Sequence, residues 1–96
     1  MTMDVDVLIP VGGPMDDPGS LHRKYENALL AAGYRPSFTY VLDGDVPSAA
    51  TELRKLAQTS SNVQAIQLSR RFGETSAIMA GFSATRADRV LILPAY

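Results

Sequence analysis

The chain alternates short apolar runs with stretches of helical periodicity, and this alternation restricts its fold more than any other feature. Val5 to Val11 is a nearly continuous β-branched and aliphatic run that stops at the turn signal Gly12-Gly13-Pro14, so it reads as a strand buried on both faces. Asp17 and Pro18 then suit the N-cap and first position of a helix. Leu21, Tyr25, Ala28, Leu29 and Ala32 form its apolar stripe, and Gly33 stands where a C-terminal cap is expected. Ser37 to Leu42 reads as a second strand, ending at Asp43-Gly44-Asp45. Pro47 or Ser48 opens a second helix with Ala49, Leu53, Leu56 and Ala57 on one side, and a polar break follows at Thr59-Ser60-Ser61-Asn62. Val63 to Leu68 is a third strand. A third helix is expected at about Glu74 to Thr85, with Ile78, Met79, Gly81 and Phe82 turned inward, and Arg89 to Leu93 is a fourth strand.

Every strand-to-strand connection contains a helix, which disfavours tight antiparallel hairpins and favours a parallel sheet with right-handed crossovers. The expected architecture is α/β and Rossmann-like: three layers, a parallel four-stranded sheet of order 3-2-1-4 and three crossover helices. Ninety-six residues is the size of one small domain or of part of a larger one. The fourth strand is apolar enough to need cover on both faces. A dimer partner or a missing C-terminal half would supply that cover, since a bare apolar edge invites pairing.

Composition narrows the function classes. Apolar residues make up 46% and charged residues 20%, which is globular rather than disordered. Nine Lys and Arg against ten Asp and Glu argue against a nucleic-acid surface, which needs a concentrated basic excess. The absence of Cys excludes disulfide scaffolds, zinc ribbons and thiol nucleophiles. Asp4 and Asp6 stand where a secretory leader would carry basic residues, and no apolar run approaches the ~20 residues of a transmembrane helix. A cytoplasmic location is expected, with the inner face of a membrane reachable only through parts outside this chain.

In open parallel sheets ligands gather outside the carboxyl ends of the strands. Here those ends are Pro10-Val11-Gly12-Gly13, Asp43-Gly44-Asp45, Ser69 to Gly73 and Pro94-Ala95-Tyr96. Gly12-Gly13 exposes backbone N–H groups but is no GxGxxG fingerprint, and it also reads as an ordinary turn. Asp43 can accept hydrogen bonds from a base or ribose; alternatively it caps the next helix. Arg70 and Arg71 precede a helix N-terminus, a place that favours anions, with Arg71 read as simply exposed. His22, the only histidine, is flanked by Arg23 and Lys24 and is expected at the solvated surface, while Tyr25 and Tyr40 read as packing residues.

Together these segments resemble the family 2 glycosyltransferases of the GT-A fold. Leu8-Ile9-Pro10-Val11 resembles the family's opening strand, and Val41-Leu42-Asp43-Gly44-Asp45 its second-strand Asp-Asp-Gly-Ser signature. Leu68 to Glu74, with Ala77, Ala80 and Gly81, is similar to the dolichol- or polyprenyl-phosphate mannosyltransferase branch. The resemblance implies that residues 1–96 are a single, truncated nucleotide-diphospho-sugar-binding domain, a partial GT-A fold. Pro10, Val11 and Gly12 would then line the base, Asp43 with Gly44 would contact it, and Arg70 would lie near the phosphates of a UDP- or GDP-linked sugar.

The sequence also departs from the family. Gly12 replaces the usual Tyr, Gly13 an Asn, Pro14 a Glu, Leu42 the first Asp and Arg71 an Asn. Pro94-Ala95-Tyr96 occupies the place of the Asp-x-Asp motif that holds Mg²⁺ or Mn²⁺ against the diphosphate, so the metal expected of the family finds no ligands here. No catalytic residue is assigned within the chain. The functional expectation is part of a glycosyltransferase that moves a sugar to a glycan or polyprenyl phosphate, the chain alone being inactive. The alternatives are a non-catalytic nucleotide-sugar-binding protein and a generic Rossmann-like module.

Overall fold

A computed structural model describes residues 3–96; Met1 and Thr2, part of the stretch read against a secretory leader, lie outside the described residues. The elements run β1 (Met3–Val11), α1 (Pro18–Ala31), β2 (Tyr34–Leu42), α2 (Pro47–Thr59), β3 (Val63–Gln67), α3 (Glu74–Phe82) and β4 (Val90–Ile92). The four strands form one sheet in the order β3-β2-β1-β4, and every pairing is parallel. This is the expected Rossmann-like α/β architecture.

The apolar run of β1 is divided between two faces because successive strand residues point to opposite sides. Val5, Val7, Ile9 and Val11 join Phe38, Tyr40 and Leu42 in the larger core beneath α1 and α2, together with Ala49 and Leu53. Leu8 and Val41 face the other way, against Ala77 of α3, in a smaller cluster. At roughly 1.5–3 kcal/mol for each fully buried aliphatic or aromatic side chain, the first face carries most of the fold.

Local signals explain most boundaries. Asp17 caps α1 by accepting the Ser20 N–H at 3.0 Å, and Gly33 follows the helix with φ of +89°. β2 begins at Tyr34, earlier than Ser37, because Pro36 costs the sheet nothing there. β3 joins β2 only from Phe38 opposite Val63, so Pro36 has no neighbour on that side awaiting an N–H. Its carbonyl accepts from the Asn62 side chain at 3.0 Å.

The third helix departs from expectation. It ends at Phe82, after which Ala84 and Thr85 donate to the carbonyls three residues back, the tighter turn of a fraying helix end. Ala77 and Gly81 are its buried residues. At about 100° per residue, Met79 lies opposite that stripe and Phe82 well to its side. Accordingly Met79 is 64% and Phe82 47% exposed, and Ile78 is half-buried, rather than core. Gly81 lets α3 sit this close: a Cβ there would overlap the side chain of Leu8.

Candidate functional site

Three of the strand-end loops meet at the carboxyl edge of the sheet and are tied together by specific hydrogen bonds. Asp43, 3% exposed, accepts the N–H of Phe72 at 2.7 Å with one carboxylate oxygen and that of Gly73 at 3.0 Å with the other. It therefore fixes the loop leading into α3. It does not cap α2, whose N-cap is Val46 and lacks a side-chain bond. Gly44 is buried with φ of +96°, and a Cβ on it would stand 3.1 Å from the backbone nitrogen of Arg71, so both its torsion and its surroundings require glycine. Gln67 secures the same turn, donating to the Gly44 carbonyl at 2.7 Å.

Arg71 crosses from the third loop to the first, where its Nη2 donates to the carbonyl of Gly12. Gly12 lies directly beside the guanidinium, where a Cβ would make ordinary contact with Arg71 Nη1 at 3.7 Å. The fourth wall follows β4 and is tied to α1 by the Tyr25 hydroxyl, which donates to the Pro94 carbonyl at 2.8 Å. Burial raises the Tyr25 phenol above its ordinary pKa, keeping it a donor. These walls enclose a cavity of about 600 Å³, lined among others by Pro10, Gly12, Asp43, Arg71, Glu74 and Tyr96.

Of the residues singled out by sequence, Pro10, Gly12 and Asp43 line this cavity. Val11 and Gly44 are buried and outside its lining, serving as its support. Arg70 stands on the same rim but outside the lining, its guanidinium carbon 4.8 Å from the Phe72 ring centroid. Arg71, read as merely exposed, is exposed in fact and yet supplies the cavity's guanidinium. Glu74 at the start of α3 and the Tyr25 tether went unread. A lone tyrosine on a helix stripe gives no sequence sign of a partner 69 residues away.

His22 contradicts its expected solvation. It is 2% exposed, shares a hydrogen bond between Nδ1 and the Tyr40 hydroxyl at 2.9 Å, and meets the Phe38 ring edge-on with centroids 4.4 Å apart. Burial lowers its pKa despite Glu26, whose carboxylate lies 3.8 Å from Nε2. His22 belongs to the α1–β2 core and is absent from the cavity lining.

The donor set does not suit a divalent cation. Pro94 and Ala95 have no side-chain ligand, and the phenol of Tyr96 is a poor one for a hard cation. The lining offers two carboxylates, Glu74 and Asp43, the latter with a backbone N–H already on each oxygen. Among the described residues no group of three or more His, Asp or Glu side chains could hold a metal ion.

The chain matches no family profile. It is 35% identical over 92 residues to the undecaprenyl-phosphate 4-deoxy-4-formamido-L-arabinose transferase of Klebsiella pneumoniae strain 342, covering 95% of this chain and 28% of that protein. Its namesake in Edwardsiella ictaluri is 37% identical, with the same coverage. A Bacillus subtilis protein bearing the name glycosyltransferase CsbB is 26% identical over 91 residues, again 95% of this chain and 28% of the relative. The chain thus spans little more than a quarter of these relatives. The likeness to glycosyltransferases carried by the strand-end motifs extends along nearly all of it.

Proposed function

We propose that this chain, a relative of the family 2 glycosyltransferases, binds a nucleoside-diphosphate sugar in the cavity at the carboxyl edge of its sheet. In a longer protein it would form the donor-binding part of a partial GT-A fold that transfers the sugar to a polyprenyl phosphate or a growing glycan. The observation that carries this reading is the meeting of Gly12, Asp43 and Arg71 around one cavity in a chain similar to such enzymes over 95% of its length.

Each wall has a physical task in this reading. Pro10 and the uncovered backbone at Gly12 and Gly13 offer a surface that a planar base can approach closely. Asp43 acts through the loop it holds: by accepting two N–H groups it keeps residues 71–73 where they face the first loop. The rim loop leads into α3, where the helix dipole favours negative charge. Orientation of this kind, rather than proton transfer, is what the chain contributes. Since β4 leaves Leu91 38% and Ile92 45% exposed, we assign its cover to further chain of a longer protein, with a second copy as the alternative that sedimentation would reveal.

No described helix is long and apolar enough to cross a membrane. Use of a polyprenyl phosphate would bring the cavity to the cytoplasmic face of a membrane. Isothermal titration with UDP- and GDP-sugars tests the reading; saturable binding, lost when Asp43→Ala releases the rim loop, is expected. Absence of binding at millimolar ligand would remove it. The chain alone is expected to transfer no sugar.

Pro94-Ala95-Tyr96 on the cavity wall favours a second reading, in which the longer protein binds the nucleotide sugar without turning it over. Donor binding by that protein without transfer to any polyprenyl phosphate would select it. The strand order β3-β2-β1-β4 and the extent of similarity weigh against a generic Rossmann-like module.

A further inference from the structure

We propose that the Arg71 guanidinium takes the place of a divalent cation at this cavity, so that a nucleoside diphosphate is held without metal. The inference rests on the nucleotide-binding reading above and says how the phosphates are recognised.

A diphosphate brings concentrated negative charge, and a site for it must present positive charge or donors. Three ionisable side chains other than the Tyr96 phenol line the cavity: Asp43, Arg71 and Glu74. The Asp43 carboxylate gives one acceptor site on each oxygen to the backbone N–H groups of Phe72 and Gly73, which leaves it less to offer a cation. With Glu74 it makes two side-chain carboxylates, a thin ligand set for Mg²⁺ or Mn²⁺, which take about six oxygens. Among the described residues Arg71 is the only cationic side chain in the lining.

The placement of Arg71 suits that role. A guanidinium carries five N–H donors in a fixed plane, and the bond to the Gly12 carbonyl occupies one nitrogen. That bond, made through Nη2, anchors the head group beside the first loop and leaves Nη1 and Nε to pair with phosphate oxygens. A Cβ at Gly12 would only touch Arg71 Nη1, at 3.7 Å, whereas a large side chain there would compete for the space beside the guanidinium. Arg70 does not substitute, since its own guanidinium is engaged over Phe72 outside the cavity. Arg71 offsets one of the two carboxylates of the lining, Asp43 and Glu74.

The test is a set of calorimetric titrations of the full chain with UDP and GDP, each in EDTA and in millimolar Mn²⁺, and with the free nucleosides uridine and guanosine. The better diphosphate is expected to bind with the same affinity, within about twofold, in EDTA and in Mn²⁺. Arg71→Ala should weaken it tenfold or more while leaving the nucleoside affinity within twofold, and Arg71→Lys should fall between. Arg54→Ala, on the exposed side of α2, serves as the control for net charge, and circular dichroism checks that each variant is folded. Diphosphate binding that needs Mn²⁺ and is lost in Glu74→Gln overturns the inference and leaves the nucleotide reading standing. Equal binding by Arg71→Ala does the same. No binding of any nucleotide or nucleoside under either condition removes both.

Discussion

The two ends of α3 are fastened in the same manner, yet only one of them borders a candidate site. At the carboxyl edge of the sheet, Asp43 accepts the N–H groups of Phe72 and Gly73 just before the helix. At the amino edge, Asp6 accepts those of Arg86 at 2.9 Å and Ala87 at 2.6 Å, just after it. Both carboxylates are buried, at 3% and 7% exposure, and each takes two backbone donors from a loop that would otherwise hold them unpaired. The surroundings differ. Around Asp43 lie Gly12, Gly13 and Gly73 and a guanidinium anchored by one bond. Beside Asp6 a wider hollow of about 810 Å³ is lined by Asp4 and Arg35, paired with each other at 2.6 Å, and by Arg86, whose backbone N–H is one of those Asp6 accepts. A buried carboxylate therefore marks a brace at both edges, and what sets the carboxyl edge apart is the glycine backbone left uncovered beside the Arg71 guanidinium.

Removing each brace is the most severe way to break this comparison. Asp6→Ala and Asp43→Ala should each cost about 3 kcal/mol, since two charge-assisted bonds are lost and the donors are left unsatisfied. Urea titration reads both losses. Nucleotide affinity, measured on the folded fraction, should fall only in Asp43→Ala; an equal fall in Asp6→Ala would erase the distinction between the ends.

Gly44→Ala probes the site side alone. Its positive φ and the 3.1 Å approach to the Arg71 backbone predict a loss of about 1–2 kcal/mol in thermal melts, with the rim loop displaced and nucleotide binding weakened several-fold. A variant as stable as the parent would show that the loop can yield.

His22 gives a smaller effect, in neither region. Its pKa in the folded chain lies below the ordinary 6.5, because burial disfavours the charged ring. Above pH 6.5 the ring is neutral folded or unfolded, and stability is complete. As pH falls below 6.5 the unfolded chain takes up the proton first, so stability declines until the folded pKa is reached. The groups facing the ring are Tyr40, Glu26 and Arg23. Because the chain has one histidine, a His22→Phe variant should flatten the stability profile just below pH 6.5, ahead of carboxylate titration.

Tyr25→Phe is the mildest test. It removes only the bond to Pro94 and should cost about 0.5–1 kcal/mol, altering nucleotide affinity less than threefold. A larger drop in affinity would mean that the fourth wall shapes the cavity more than its single tether suggests.

The fold was legible because its signals are local. Apolar runs, the Asp17 cap, Gly33 and the helix in every connection fix the elements, and parallel crossovers then leave few arrangements. The site was legible as a rim and less so as individual contacts. Arg70 and Arg71 are neighbours in an irregular loop, where sequence gives no periodicity to say which guanidinium faces the cavity. His22 could have been read: it stands three and seven residues before Tyr25 and Leu29, on one stripe of α1, but the adjacent Arg23 and Lys24 suggested water. Asp6 left a sign too, as a charge inside a strand buried on both faces must find partners. For α3, an apolar composition concealed which side meets the sheet, and the small pair Ala77 and Gly81 decided it. The departures at Gly12, Arg71 and Pro94 to Tyr96 were visible separately, and only the folded chain brings them to the same cavity.

β4 has just three paired residues, all against β1, and beyond them the segment is held by the Leu93 amide, the Tyr25 phenol and the partial packing of Leu93 and Ala95 on the larger core. Peeling it away would uncover far less surface than unravelling the molecule. Amide protons of Leu91 to Leu93 should therefore exchange with solvent by local fraying, at rates nearly indifferent to mild denaturant, while those in the middle of β1 and β2 wait for global opening.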